Sequence, residues 1–347
     1  MTSGNFKTTY KADMQIFQTT WIKVWMIFLF FALFTFPFVS SDYFLYNINR
    51  VGIAIIGALG LNILTGCTGI ISLAHAALMG IGAYSSALLM NNMSMPFWIA
   101  CPISAIIAMF IGLIVALPAL RLKGFYVAIA TMGFAFIIDF IILYWNSLTG
   151  GGAGMEVAKP TLGSFTFDSD QKFFFLIFSF VFLGVIFARN LFRTKIGRAL
   201  VAIRDKDISA EVIGVSLVKY KIIAFLICSC YTGVSGSLYA HYIGYINPDH
   251  FSFMISIEYV AMIVVGGLGT IIGSIYGAAF MTLLPEGIRI ITEPLGKTYP
   301  YINSIFGDLK AIVFGLIIIV TLLFEPDGLY GIWNKIKRYW KAWPFTY

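Results

Sequence analysis

The sequence predicts an all-α polytopic membrane protein, with about ten transmembrane or part-membrane helices and a central bundle broken by glycines. Three observations carry that prediction. Hydrophobic residues fill 59% of the 347 positions and charged residues only 11%, with a mean hydropathy of +0.88, where soluble domains hold roughly twice that share of charge. Apolar runs recur at roughly the 20-residue length that a helix needs to cross about 30 Å of hydrocarbon. The cations are divided unequally between the two sides that those runs define.

Ten runs fit in order: 21–39, 48–65, 70–90, 97–119, 124–145, 172–189, 219–243, 254–268, 270–292 and 308–325. The third and eighth are the weakest. Gly66-Cys67-Thr68-Gly69 separates the second from the third, and Gly266-Gly267-Leu268-Gly269 separates the eighth from the ninth. With both termini in the cytoplasm, 17 of the 23 Lys and Arg residues fall inside, which is the asymmetry that sets membrane orientation. The resulting organisation is a cytoplasmic segment 1–20, a transmembrane domain 21–330 and a cytoplasmic tail 331–347. The domain carries an external loop 146–171 and a cytoplasmic loop 190–218.

Net charge is +7, but the cations flank apolar spans rather than forming one basic face, so nucleic acid is excluded as a partner. Cys67, Cys101, Cys228 and Cys230 read as small buried hydrophobes rather than disulfides or metal ligands. No cleavable signal stands out, and 21–39 reads as an uncleaved span. The loop 146–171 opens on Thr149-Gly150-Gly151-Gly152-Ala153-Gly154 and holds Pro160 and a Gly163-Ser164 turn; it reads as a flexible polar surface for a partner. Asn247-Pro248-Asp249-His250 is a turn signal. Trp333 to Tyr347 is aromatic and basic, suiting an interfacial anchor.

The longest charged passage is Arg193 to Val215. Two short helical patterns fit it. In the first, Ile196, Leu200 and Ile203 share a face that Lys195, Arg198 and Arg204 avoid. In the second, Asp207 suits the N-cap, Ile208 and Val212 share a face, and Gly214 ends the turn. Two readings fit: an interfacial helix that anchors the loop, or a dock for a soluble partner. In the second, Ile196, Leu200 and Ile203 supply the face that the partner buries.

The two glycine breaks echo each other, each preceding a Gly- and Ala-rich span. Paired breaks of this kind point to a central pathway, with Gly66, Gly69, Gly266, Gly267 and Gly269 as hinges; most other glycines read as helix-packing positions. Ionisable groups within spans are costly and face interior cavities or partners, which singles out His75, Asp139, Glu258 and Glu286. Thr65 and Ser72 join His75 around the first break as candidate pathway residues, His75 reading equally as a packed histidine that donates to a carbonyl. Glu286 follows Pro285 and reads as satisfying a helix break.

No His, Cys, Asp or Glu group has metal-ligand spacing. Gly296-Lys297-Thr298 lacks the P-loop glycine five residues earlier, where Ile291 stands, and Gly80-Ile81-Gly82 meets Ser85 where a dinucleotide fingerprint needs its third glycine. The chain is therefore expected to be no enzyme and to bind no cofactor of its own. Any ATP is bound by other polypeptides.

Gly197-Arg198-Ala199-Leu200 through Ile203-Arg204-Asp205 to Ala210-Glu211 and Gly214-Val215 resembles the cytoplasmic coupling segment of branched-chain amino acid ABC transporter permeases, the M-type subunit in particular. Leu61-Asn62-Ile63-Leu64-Thr65-Gly66, Ser72-Leu73-Ala74-His75-Ala76, Arg121 to Thr131, Leu148 to Gly151, Ile257-Glu258, Leu284-Pro285-Glu286 and Phe324 to Leu329 follow the same family in order and spacing. The resemblance runs from about residue 50 to 330. One departure stands out: the family usually carries a glutamate where this chain has Phe136, and the nearest acid is Asp139.

The resemblance implies a permease subunit of an importer in the bacterial plasma membrane, moving branched-chain, hydrophobic amino acids. Its implied partners are a second permease of similar fold, two cytoplasmic ATPases and an external substrate-binding protein. Gly197, Arg198, Ile203, Arg204, Asp205, Glu211 and Gly214 would then couple the ATPases to the spans. A urea or short-amide ABC permease shares this architecture. An ion-coupled transporter would instead use Asp139 or Glu258.

Overall fold

Every residue from Val51 to Thr68 is buried, which an apolar helix achieves only when other helices surround it on all sides. The computed structural model describes residues 20–122, 124–162, 165–298 and 306–342. Lys7, Lys11, Lys123, the Gly163-Ser164 turn and the tail beyond 342 lie outside the described residues. In order, the helices are α1 (Thr20–Val39), α2 (Asp42–Leu61, prolonged by a π turn at Asn62–Gly66), α3 (His75–Met93), α4 (Phe97–Ala119) and α5 (Phe125–Tyr144). A single turn, α6 (Asn146–Thr149), follows. Next come α7 (Asp170–Arg193), α8 (Lys195–Asp205), α9 (Asp207–Val212), α10 (Leu217–Ile243), α11 (Phe253–Gly266), α12 (Ile271–Thr298), α13 (Phe306–Phe324) and α14 (Gly328–Ala342).

All ten predicted runs are helical. Among the described residues seven helices are long and apolar enough to cross a membrane, or eight if α13 and α14, bent by 47°, form one span. The third run starts late, at His75, because Gly69 to Ala74 is extended. The helix α12 runs through Pro285 without a break. Glu286 accordingly serves no helix break: its carboxylate accepts from the Tyr43 hydroxyl and lies 3.5 Å from Arg289 Nε.

Two helices form the axis, and small residues explain why. α2 packs on α7, α10, α11 and α12, while α10 packs on α3, α4 and α2. A Cβ at Gly82 would lie 2.4 Å from the Gly233 carbonyl oxygen, and one at Gly236 would lie 2.0 Å from that of Met79. A Cβ at Gly112 would meet Ser229 Oγ at 1.9 Å. Backbones this close gain dispersion contact that lipid cannot match, the usual basis of helix association in a bilayer. The same logic joins α11 to α12, where a Cβ at Gly277 would meet the Met262 carbonyl at 1.8 Å.

One end of the bundle carries both glycine breaks, α8, α9 and α14. The other carries 146–169 and the 3₁₀ turn Pro248–Phe251. The loop expected to be flexible is tied down. β1 (Met155–Glu156) and β4 (Tyr245–Ile246) pair antiparallel, and β2 (Thr161–Leu162) pairs with β3 (Phe165–Thr166). Asn91 Nδ2 donates to the Glu156 carbonyl at 2.6 Å. His241, 1% exposed, bridges the Ala158 carbonyl at 2.7 Å to Ser86 Oγ at 2.8 Å. Near the start of α7, the Lys172 ammonium holds the Asp168 carboxyl below its usual range. All four cysteines are free.

Gly236→Val is expected to cost about 1–3 kcal/mol, or more because the obstructing atom is backbone, and to lower both the melting temperature in detergent and the membrane level. Gly315→Ala is the control. Nothing lies within 4 Å of its added Cβ, and removing a helical glycine stabilises by up to about 1 kcal/mol.

Candidate functional site

Thr194 caps α8, its Oγ1 accepting from the Gly197 amide at 3.4 Å. A Cβ on Gly197 would lie 2.4 Å from the Leu191 carbonyl, so glycine lets α8 fold directly back on the end of α7. At the far end Gly214 has φ +90° and the Val215 amide bonds the Ala210 carbonyl at 3.0 Å, a left-handed stop that glycine adopts without strain. Asp207 is the first residue of α9 rather than its cap. Lys206 holds the cap position, and Asp207 Oδ1 accepts from the Ile208 amide at 2.9 Å.

The apolar face of α8 points inward. Leu200 is 0% exposed and Ile203 4%, with Gly197 and Ala199 buried beside them and Ile196 partly buried against the core. This corrects the expectation that Ile196, Leu200 and Ile203 meet a partner, because α8 lies on α7 and α10 of its own chain. Periodicity shows which residues share a face, not which body buries it. The outward surface is different: Ile208, Val212 and Ile213 are 70%, 82% and 75% exposed. Arg198, Arg204, Asp205 and Glu211 are exposed alongside them.

The two glycine breaks meet beneath α8, about 200 residues apart in sequence. Asn62, in the π turn and 2% exposed, joins them. Its Nδ2 donates to the Thr270 carbonyl at 2.8 Å and to Ser274 Oγ at 2.7 Å, while Oδ1 accepts from the Gly269 amide at 2.8 Å. A Cβ on Gly66 would lie 2.5 Å from the Gly269 nitrogen. Gly269 sits at φ +78°, and a Cβ there would meet Arg204 Nη1 at 2.4 Å. Gly69 lies under the same arginine, with Arg204 Cγ 4.0 Å from its added Cβ. The turn before α14 closes the cluster, since a Cβ on Gly328 would meet the Val265 carbonyl and the Gly267 nitrogen at 2.6 and 2.7 Å. Cys67, free and buried at the same junction, is a packing group.

The candidate pathway residues separate into two sets. Thr65, Ser72 and His75 are buried on the connection from α2 to α3. His75 Nδ1 lies 3.2 Å from Thr232 Oγ1 and its ring 4.3 Å from that of Tyr259, while His75 Nε2 and Thr65 Oγ1 are buried without a partner among the described residues. Two residues that sequence reasoning gave no role support this connection. Thr131 Oγ1 accepts from the Leu73 amide at 3.0 Å and Ser256 Oγ from that of Ala76 at 2.9 Å, pairing donors that an interrupted helix frees.

Asp139 and Glu258 stand elsewhere. Asp139 is half-buried on α5 and forms no ion pair among the described residues. Glu258 is half-buried and bonds Lys310 of α13 at 2.9 Å. Among the described residues no hydrogen bond or ion pair joins either acid to His75, and no three His, Cys, Asp or Glu side chains converge as a metal site would require.

A family model described as the permease component of the branched-chain amino acid transport system matches residues 43–322. The chain is 30% identical over 301 residues to the high-affinity branched-chain amino acid permease protein LivM of Escherichia coli K12, covering 80% of this chain and 67% of the relative. It is 27% identical to BraD of Pseudomonas aeruginosa, over 79% of this chain and 90% of the relative. A probable LivH of Methanocaldococcus jannaschii is 26% identical, with 81% and 90% covered. No solved structure matches the chain significantly.

Lys310→Met leaves the Glu258 carboxylate half-buried and unpaired, and is expected to destabilise by about 1–3 kcal/mol. Exchanging the charges, Glu258→Lys with Lys310→Glu, should recover most of that loss in a thermal melt. Recovery marks Glu258 as a helix-joining residue of α11 and α13.

Proposed function

The chain belongs to the branched-chain amino acid transport permease family, and from that premise we propose that it carries branched-chain amino acids inward on ATP hydrolysed by partner subunits. It is a multi-pass transport protein of the bacterial inner membrane. In this reading it pairs with a second permease of similar fold, two cytoplasmic ATPases and an external binding protein. The end bearing α8, α9 and α14 is cytoplasmic, as are both termini. The 146–171 loop faces the binding protein. The relatives include both LivM-type and LivH-type branched-chain amino acid permeases, which supports the substrate class and the second permease.

The observation that carries the reading is the build of α8 and α9. A helix pair with one face seated on the bundle and an exposed outer surface of Ile208, Val212, Ile213 and mixed charge has the composition of a docking surface. Arg198, Arg204, Asp205 and Glu211 supply that charge. Ile203, Gly197 and Gly214 hold the pair rigid. Thr65, Ser72 and His75 line the first break, and Gly66, Gly69, Gly266, Gly267 and Gly269 allow its backbone to approach the second. Asp139 on α5 and Glu258 on α11 complete the set assigned to the transport path.

The test is reconstitution of the chain with its second permease, ATPase and binding protein in proteoliposomes. Binding protein loaded with leucine, isoleucine or valine is expected to stimulate ATP hydrolysis several-fold and drive uptake; stimulation by urea or acetamide alone would reassign the substrate. Ile208→Asp combined with Val212→Asp should reach the membrane at normal levels and abolish both activities. Full uptake from that double variant would remove α9 from the docking surface.

A further inference from the structure

Resting on the permease reading above, we propose that Asn62 is the positioning residue that clamps the two glycine breaks into one body, which Arg204 links to α8. Motion of α8 then reaches the α2–α3 and α11–α12 hairpins together rather than one at a time.

The geometry is specific. Asn62 uses both amide N–H groups and its carbonyl across the interface, to the Thr270 carbonyl, Ser274 Oγ and the Gly269 amide. No other residue type of that size offers two donors and an acceptor in one plane. Ser274 Oγ itself lies 3.2 Å from the Thr270 carbonyl, so the bonds form a closed set at the start of α12. Asn62 is 2% exposed, and water is not available to replace a bond lost there. The backbones touch besides: a Cβ on Gly269 would sit 3.0 Å from the Gly66 carbonyl oxygen. Two segments held by three hydrogen bonds and by backbone contact shift as a unit.

Arg204 supplies the link to α8. It forms no ion pair among the described residues. Its guanidinium lies instead against Gly269, and its stem lies against Gly69, one residue from each break. The Asp327 carbonyl and Tyr330 pack on Gly267. The joined breaks are therefore touched both by the α8 arginine and by the start of α14.

The experiment compares uptake per ATP hydrolysed in the reconstituted complex for wild type, Asn62→Ala and Ser274→Ala. Asn62→Ala is expected to assemble and to keep ligand-stimulated ATP hydrolysis within about twofold, while uptake per ATP falls at least tenfold. Ser274→Ala removes one of the three bonds and should lower the ratio about threefold. A residue needed only for folding would lower uptake and hydrolysis together and leave the ratio unchanged. An unchanged ratio in Asn62→Ala overturns the clamp. Should Asn62→Ala fail to assemble, Ser274→Ala decides by the same criterion. Absence of ligand-stimulated hydrolysis in the wild-type complex would instead count against the permease reading.

Discussion

Backbone-to-backbone contact is the constraint on which this molecule depends. In water the hydrophobic effect drives helices together, but lipid is as apolar as leucine and supplies no such force. Association must come from close packing and from hydrogen bonds that lipid cannot offer. Helix α10 meets that demand against α3 and α4, with Gly82 on Gly233, Gly236 on the Met79 carbonyl and Gly112 on Ser229. The glycine breaks meet it with the Asn62 amide. At Gly82 and Gly236 even a methyl group would meet a wall of backbone, and at Gly112 the Ser229 side chain.

Much of the fold was legible in the sequence, because span length and charge asymmetry are set by the bilayer and not by partners. Even the weak third run, beside Gly66 and Gly69, became a helix. What the sequence concealed were relations between segments. Leu200 and Ile203 share a face by periodicity, yet the same pattern fits a face buried by a partner and one buried on α7 and α10. The echo between Gly66 and Gly266 was visible, but not that Asn62 would bring the two breaks into contact, since an asparagine in an apolar run shows no partner. Glu258 was visible as an interior acid, but nothing showed that Lys310, 52 residues later, would pair with it.

These relations give coupling a physical route. α8 lies on the bundle through a buried apolar face, so a force applied to its outer surface passes into α7 and α10 with little slack in between. In the clamp we propose, Arg204 carries the same motion to the joined breaks. The polar residues of the first connection, Thr65, Ser72 and His75, lie on either side of that point along the path from α2 to α3. In the coupling we propose, transport and hydrolysis share one short chain of packed groups.

The most direct measurement places a photoreactive benzophenone side chain at position 212, where valine is 82% exposed, and irradiates the intact complex in membranes. A cross-link to the ATPase subunit, with a yield that changes when ATP is bound, is the predicted result. Cross-links confined to lipid, or absent, with the ATPase present and active, would contradict docking through α9.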